Sequence, residues 1–129
     1  MPLTFGDIHI YVRDLDEALQ FWEDGLGLIL VDRDDEGAFA RLDFPGGGPI
    51  VELIASVDVF ELLEPAALCE RPAVSFDVTT SDFDDVLVRL LENGGRQEGA
   101  IETYRDLRIV TVADPDGNAF ELIEVPSEA

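Results

Sequence analysis

The sequence predicts an α+β fold made of two tandem βαβββ modules, and three observations predict it. A strand candidate, an amphipathic helix and three more strand candidates occur in that order twice within 129 residues. The two copies end alike, Ile50-Val51-Glu52-Leu53-Ile54 against Ala119-Phe120-Glu121-Leu122-Ile123. Turn-forming residues separate the strands at corresponding places in both copies.

In the first module, residues 4–57, Ile8, Ile10 and Val12 alternate with His9 and Tyr11, the period of a strand with one buried face. Asp14 then supplies a helix N-cap, and Glu17 completes a capping-box pattern. Leu15, Ala18, Leu19, Trp22 and Leu26 recur at helical spacing until Gly25 and Gly27 end the run. Residues 28–33, 38–44 and 50–54 follow as strands, separated by Asp34-Asp35-Glu36-Gly37 and Pro45-Gly46-Gly47-Gly48-Pro49. The second loop precedes a strand and no helix, so it reads as a hairpin loop and not as a phosphate-binding loop.

In the second module, residues 72–126, the first strand falls on 74–78. Phe83, Val86, Leu87, Leu90 and Leu91 mark a helix closed by Asn93-Gly94-Gly95. Residues 100–104, 108–113 and 119–125 are the remaining strands, with Asp114-Pro115-Asp116-Gly117 as a hairpin turn. Residues 58–71 connect the modules, with room for a short helix over 59–63, and 1–129 reads as a single domain.

Twenty-nine acidic residues against eight basic ones, all of them Arg, give a formal net charge of −21. Nucleic acid and anionic membranes are disfavoured as partners, since both call for a cationic surface. No apolar stretch approaches the roughly 20 residues that cross a bilayer, and Met1-Pro2-Leu3-Thr4 has no signal-peptide character. The single Cys69 cannot form an internal disulfide and has no basic neighbour to activate it, so a reducing, cytoplasmic setting is expected.

Strand alternation sorts the side chains onto two faces. Ile8, Ile10, Val12, Val51, Leu53, Val74, Phe76, Val78, Phe120 and Leu122 form the face that must pack on the helices. The opposite face gathers Asp7, His9, Tyr11, Glu52, Ser75, Asp77 and Glu121, which makes these the candidate ligand-binding residues. Glu52 and Glu121 hold equivalent places in the two repeats. Carboxylates crowded on one face resist ionisation unless a metal ion, an Arg or a cationic ligand offsets them.

Asp-Leu-Asp-Glu-Ala-Leu-Gln-Phe-Trp followed by Leu-Gly-Leu, then Asn-Gly-Gly, then Asp-Pro-Asp-Gly-Asn with Glu-Leu-Ile-Glu, resemble the signatures of the vicinal-oxygen-chelate superfamily. That superfamily includes glyoxalase I, bleomycin-resistance proteins and extradiol dioxygenases. The resemblance covers nearly the whole chain and implies cupped mixed sheets around a cavity, a small-molecule ligand and a homodimer. Metal-dependent members take ligands from the first and last strands of each module. Carried onto this chain, the last-strand positions fall on Glu52 and Glu121, and the first-strand position on Asp7, with His9 on the same side. The matching place in module two falls on Ala73, which has no ligating atom.

One histidine rules out a two-His-one-carboxylate iron site within one chain, so extradiol dioxygenase chemistry is not expected. Three readings stay open, the third of them an interaction module that uses the fold as a dimeric scaffold without a ligand. The first is a ligand-sequestering protein like the bleomycin and antibiotic-resistance branch, with a degenerate metal site, no cofactor and a cationic ligand. The second is a lyase or isomerase resembling glyoxalase I, with His9, Glu52 and Glu121 on Mg²⁺, Mn²⁺ or Ni²⁺ and Glu52 or Glu121 as the catalytic base.

Overall fold

A computed structural model describes residues 6–55 and 76–126. The first module runs β1 (Ile8–Val12), α1 (Leu15–Leu19) continuing into a π-helical segment (Gln20–Gly25), β2 (Ile29–Asp34), β3 (Phe39–Asp43) and β4 (Val51–Ala55). The second runs β5 (Asp77–Thr80), α2 (Phe83–Glu92), β6 (Arg96–Tyr104), β7 (Leu107–Ala113) and β8 (Ala119–Glu124). Each module closes one four-stranded mixed sheet, ordered β1-β4-β3-β2 and β5-β8-β7-β6. In both, the first strand runs parallel to the last and the other pairings are antiparallel. The predicted pair of βαβββ modules is the architecture observed. Readings that fell on the 59–63 segment, Cys69, Ala73, Val74 and Ser75 lie outside the described residues.

The helix starts where the capping pattern places it, with the Asp14 carboxylate accepting from the Glu17 backbone N–H at 3.0 Å. Past Leu19 the ladder widens, and the Leu26 N–H donates to the Phe21 carbonyl five residues back. The widened turn lets the adjacent Phe21 and Trp22 both bury completely, whereas helical spacing alone marked only Trp22. Among the described residues β5 runs from Asp77, and β6 begins at Arg96, earlier than expected. All nine residues of β6 are exposed and its pairing with β7 shifts register between Glu98 and Glu102. A solvated, bulged edge strand carries no apolar alternation to announce it.

One continuous core joins the modules. Its centre is an aromatic cluster in which Trp22 lies 5.0 Å from Phe21 and 5.5 Å from Phe120, ring centre to ring centre. Phe76 stacks on Phe120 at 5.6 Å. Such contacts add about 0.5–1.5 kcal/mol each beyond the area they bury.

A polar clasp crosses the same boundary. Asp114 is fully buried, and its carboxylate accepts from Asp116 N, Asn118 N, Asn118 Nδ2 and Trp22 Nε1 at 2.7–3.1 Å. Those four donors match the acceptor capacity of a carboxylate. Asn118 Nδ2 also donates to the Tyr11 carbonyl at 3.0 Å, and Arg13 lies 3.8 Å from Asp116. The segment read from sequence as a good hairpin turn is thus also the lock that holds β1 and the first helix against the second module.

Candidate functional site

Alternation along β1 holds as expected: Ile10 and Val12 are buried, while Asp7, His9 and Tyr11 are exposed. On β4, Val51 and Leu53 are buried and Glu52 is half-buried. The parallel register sets His9 beside Glu52, and the antiparallel register sets Arg41 of β3 on the other side of Glu52. Ala40 and Leu42 point into the core, so Arg41 must share the face of His9 and Glu52.

These placements build a compact group. One ligating atom each from Asp7, His9 and Glu52 lie within 4.8 Å of one another. Such a grouping of two carboxylates and an imidazole can hold a divalent cation. Arg41 is already there. Its Nη2 donates to Asp7 Oδ2 at 3.2 Å, and its Nε lies 3.7 Å from Glu52 Oε2, buried and without a hydrogen-bond partner. The cation that the crowded carboxylates call for is therefore supplied, in part, by the chain.

The second sheet repeats the arrangement without the cation. Asp77 pairs with Glu121 across β5 and β8, and Thr111 of β7 stands where Arg41 stands in the first sheet. Asp77 and Glu121 are both exposed, and among the described residues neither has an ion-pair partner. Of the expected site residues, Asp7, His9 and Glu52 come together, and Asp77 and Glu121 form a second pair. Tyr11 shares the His9 face, 41% exposed, and Ser75 is outside the described residues. No metal-type grouping among the described residues includes Glu121.

A groove of about 700 Å³ runs between the modules, lined among others by Ile8, Phe44, Phe76, Val86, Asp77 and Arg89. Pro45, Gly46, Gly47 and Pro49 of the proline-glycine loop form part of its wall. The volume is that of a small-molecule site. Of the expected site residues, only Asp77 is among its described lining.

Two further Arg residues, Arg105 and Arg108, are engaged elsewhere on the surface. Arg105 lies over the Tyr104 ring at 5.3 Å. Arg108 bridges Glu124 at 2.8 Å and Asp84 at 2.9 Å while covering Phe83. Its hydrogen bonds hold the Glu124 carboxyl below the usual carboxylate range.

Arg41 is the site residue that the sequence candidates did not include. Alternation in Phe39-Ala40-Arg41-Leu42-Asp43 was signal enough to put it on the polar face; the register that brings it to Glu52 was not in one sequence.

Comparison with known proteins agrees with this architecture. The chain belongs to the glyoxalase/bleomycin resistance protein/dioxygenase superfamily, whose family model matches residues 4–122. No curated protein matches it in sequence. Among solved structures, a hypothetical protein from S. aureus superimposes with a TM-score of 0.73 at 17% identity, covering 97% of this chain and 95% of that one. A glyoxalase family protein from Bacillus cereus gives 0.72 at 21% identity, covering 98% and 97%. A glyoxalase-related enzyme from Fulvimarina pelagi gives 0.72 at 16%, covering 95% and 88%. At these identities the likeness is one of fold. No helix among the described residues is long and apolar enough to cross a membrane.

Proposed function

We propose that this protein is a small-molecule-binding member of the superfamily with a degenerate metal site, closest in manner to the ligand-sequestering, bleomycin-resistance branch. The observation that carries the reading is the Arg41 guanidinium on Asp7 and Glu52. A resident divalent ion does not fit beside it, because a like charge within 4 Å of the ligand atoms opposes the ion and two of the three donors are engaged. The single imidazole, His9, has no second imidazole to match it, for its register place in the second module holds Asp77. What the polar face offers instead is a surplus of negative charge, with no ion-pair partner for Asp77 or Glu121 among the described residues, within a chain of net charge −21. That arrangement suits a cationic ligand with an aromatic part, steered in by the field of the acidic surface.

As in relatives of this length, we take the working form to be a homodimer in the cytoplasm. Module one of a chain would face module two of its partner, so that Asp7, His9 and Glu52 of one subunit would meet Glu121 of the other.

Calorimetry of metal-free protein with bleomycin as the cationic probe tests this. Glu121→Gln is expected to weaken binding about fivefold to tenfold, the effect of one partly desolvated charge pair. Glu52→Gln is expected to weaken it less, since Arg41 already takes up part of that charge. Light scattering on the same sample reads the dimer. Equal affinity in wild type and both variants would count against the reading.

A second reading rests on the Asp7, His9 and Glu52 grouping. A lyase or isomerase resembling glyoxalase I would need Glu52 and Glu121 around one divalent ion, with one of them taking a proton beside the substrate carbonyl. Turnover of a hemithioacetal on addition of Ni²⁺ would mark that reading as the right one.

A further inference from the structure

We propose that Arg41 is a built-in cation that keeps a latent divalent-metal site closed, and that removing its charge opens Asp7, His9 and Glu52 to a transition-metal ion. Three features of the first sheet carry the inference. The three donors already stand within 4.8 Å of one another, so little rearrangement separates them from a one-imidazole, two-carboxylate site. The guanidinium contacts both carboxylates, at 3.2 and 3.7 Å, which is where a metal ion's charge would act. It is also poorly fitted there, for its buried Nε makes no hydrogen bond. A guanidinium forming a full bidentate fork with one carboxylate would be a structural ion pair. This one is spread between two acids and leaves one donor unused, holding the place by charge and not by geometry.

The scaffold does not depend on that contact. Arg41 is 37% exposed at its side chain, and its neighbours Ala40 and Leu42 supply the buried face of β3. With the guanidinium gone, Asp7 and Glu52 would repel each other across a partly desolvated face, and a divalent ion relieves that repulsion while His9 adds a nitrogen ligand. Imidazole with carboxylates suits Ni²⁺ and Zn²⁺, with water completing the coordination. The inference rests on the degenerate metal site proposed above, and not on which organic ligand the protein takes up. Metal titration of variants reads this proposal, whereas bleomycin calorimetry on wild type reads the preceding one.

The single histidine gives the test an unambiguous reporter, because the only imidazole signals in the proton spectrum belong to His9. The protein is prepared without a His-tag, in salt of about 0.15 M to screen the acidic surface, and titrated with Ni²⁺ by calorimetry and NMR. Arg41→Gln is expected to bind one Ni²⁺ at least tenfold more tightly than wild type, with loss of the His9 signals at one equivalent. Arg41→Lys, which keeps the charge, is expected to stay near wild type. Arg41→Gln combined with Glu52→Gln is expected to return toward wild type. The proposal is overturned if Arg41→Gln binds no more tightly than wild type, or if Arg41→Lys binds as tightly as Arg41→Gln. Wild-type protein decides it alone if one equivalent of Ni²⁺ already saturates His9 with Arg41 in place, which would overturn it as well.

Discussion

Asp114→Asn is expected to lower the stability of the fold by about 2–4 kcal/mol, although the two side chains are the same size. The native carboxylate accepts two backbone N–H groups on Oδ1, and Trp22 Nε1 and Asn118 Nδ2 on Oδ2. Asparagine can satisfy the backbone pair with its oxygen, but its amide nitrogen then faces two donors. The indole N–H of Trp22, buried in the aromatic cluster, loses its acceptor, and the Asn118 link to Tyr11 loses its anchor. Because this turn clasps the modules together, a urea transition should report one cooperative loss, with a lower midpoint.

The pH dependence of that gap has a definite sign. Burial pushes the Asp114 carboxyl above the usual carboxylate range, against the pull of its hydrogen bonds. A folded pKa above the unfolded one means that the group's contribution is fully present below the unfolded value. It is lost as pH rises through the folded value. The stability difference between wild type and Asp114→Asn should therefore narrow as pH is raised from about 4 toward neutrality. Midpoints measured across that range check it, and a gap that widens instead would mean the carboxylate is favoured, not penalised, by its surroundings.

Gly95→Ala should cost about 2–3 kcal/mol, at the upper end of overpacking effects. A Cβ built there would stand 2.6 Å from Phe21 Cε2 and 2.7 Å from the Leu90 carbonyl oxygen. The first contact is with a fully buried ring of the aromatic cluster, and the second is with backbone, so neither can yield cheaply. The Gly95 N–H also donates to that same Leu90 carbonyl at 2.9 Å, closing the end of α2. Thermal denaturation of the variant reads the loss. Wild-type stability in Gly95→Ala would mean that the first helix does not pack here as closely as described.

These two sites also show how far the sequence could be read. Asn93-Gly94-Gly95 announced a helix end, and that is what it is, with Gly94 at a φ of 95°. Its second role, letting Phe21 pass against the chain, depends on a contact between modules that no local pattern carries. Asp114 was legible as a turn residue because Asp-Pro-Asp-Gly has turn chemistry, and illegible as a buried carboxylate because burial there is set by Trp22, distant in sequence. The π-helical widening at Gln20–Gly25 was hidden for a related reason: an inserted residue leaves the apolar composition of the helix unchanged.

The candidate site divides in the same way. Period-two alternation placed His9, Glu52, Asp77 and Glu121 on the polar face, because burial of the other face enforces it. The grouping of Asp7, His9 and Glu52 followed from that alternation plus one parallel pairing. The neutralising role of Arg41 needed a second, antiparallel pairing, and strand register between β3 and β4 is a tertiary fact. Counted alone, the acids of this face form a metal-type grouping with His9; counted with Arg41, two of its carboxylates already face a cation.

Elemental analysis of protein purified without chelators or a His-tag tests the central claim most directly. With Arg41 seated on Asp7 and Glu52, the account predicts far less than one divalent ion per chain. One tightly held equivalent of Ni²⁺, Zn²⁺ or Mn²⁺ per chain would contradict it.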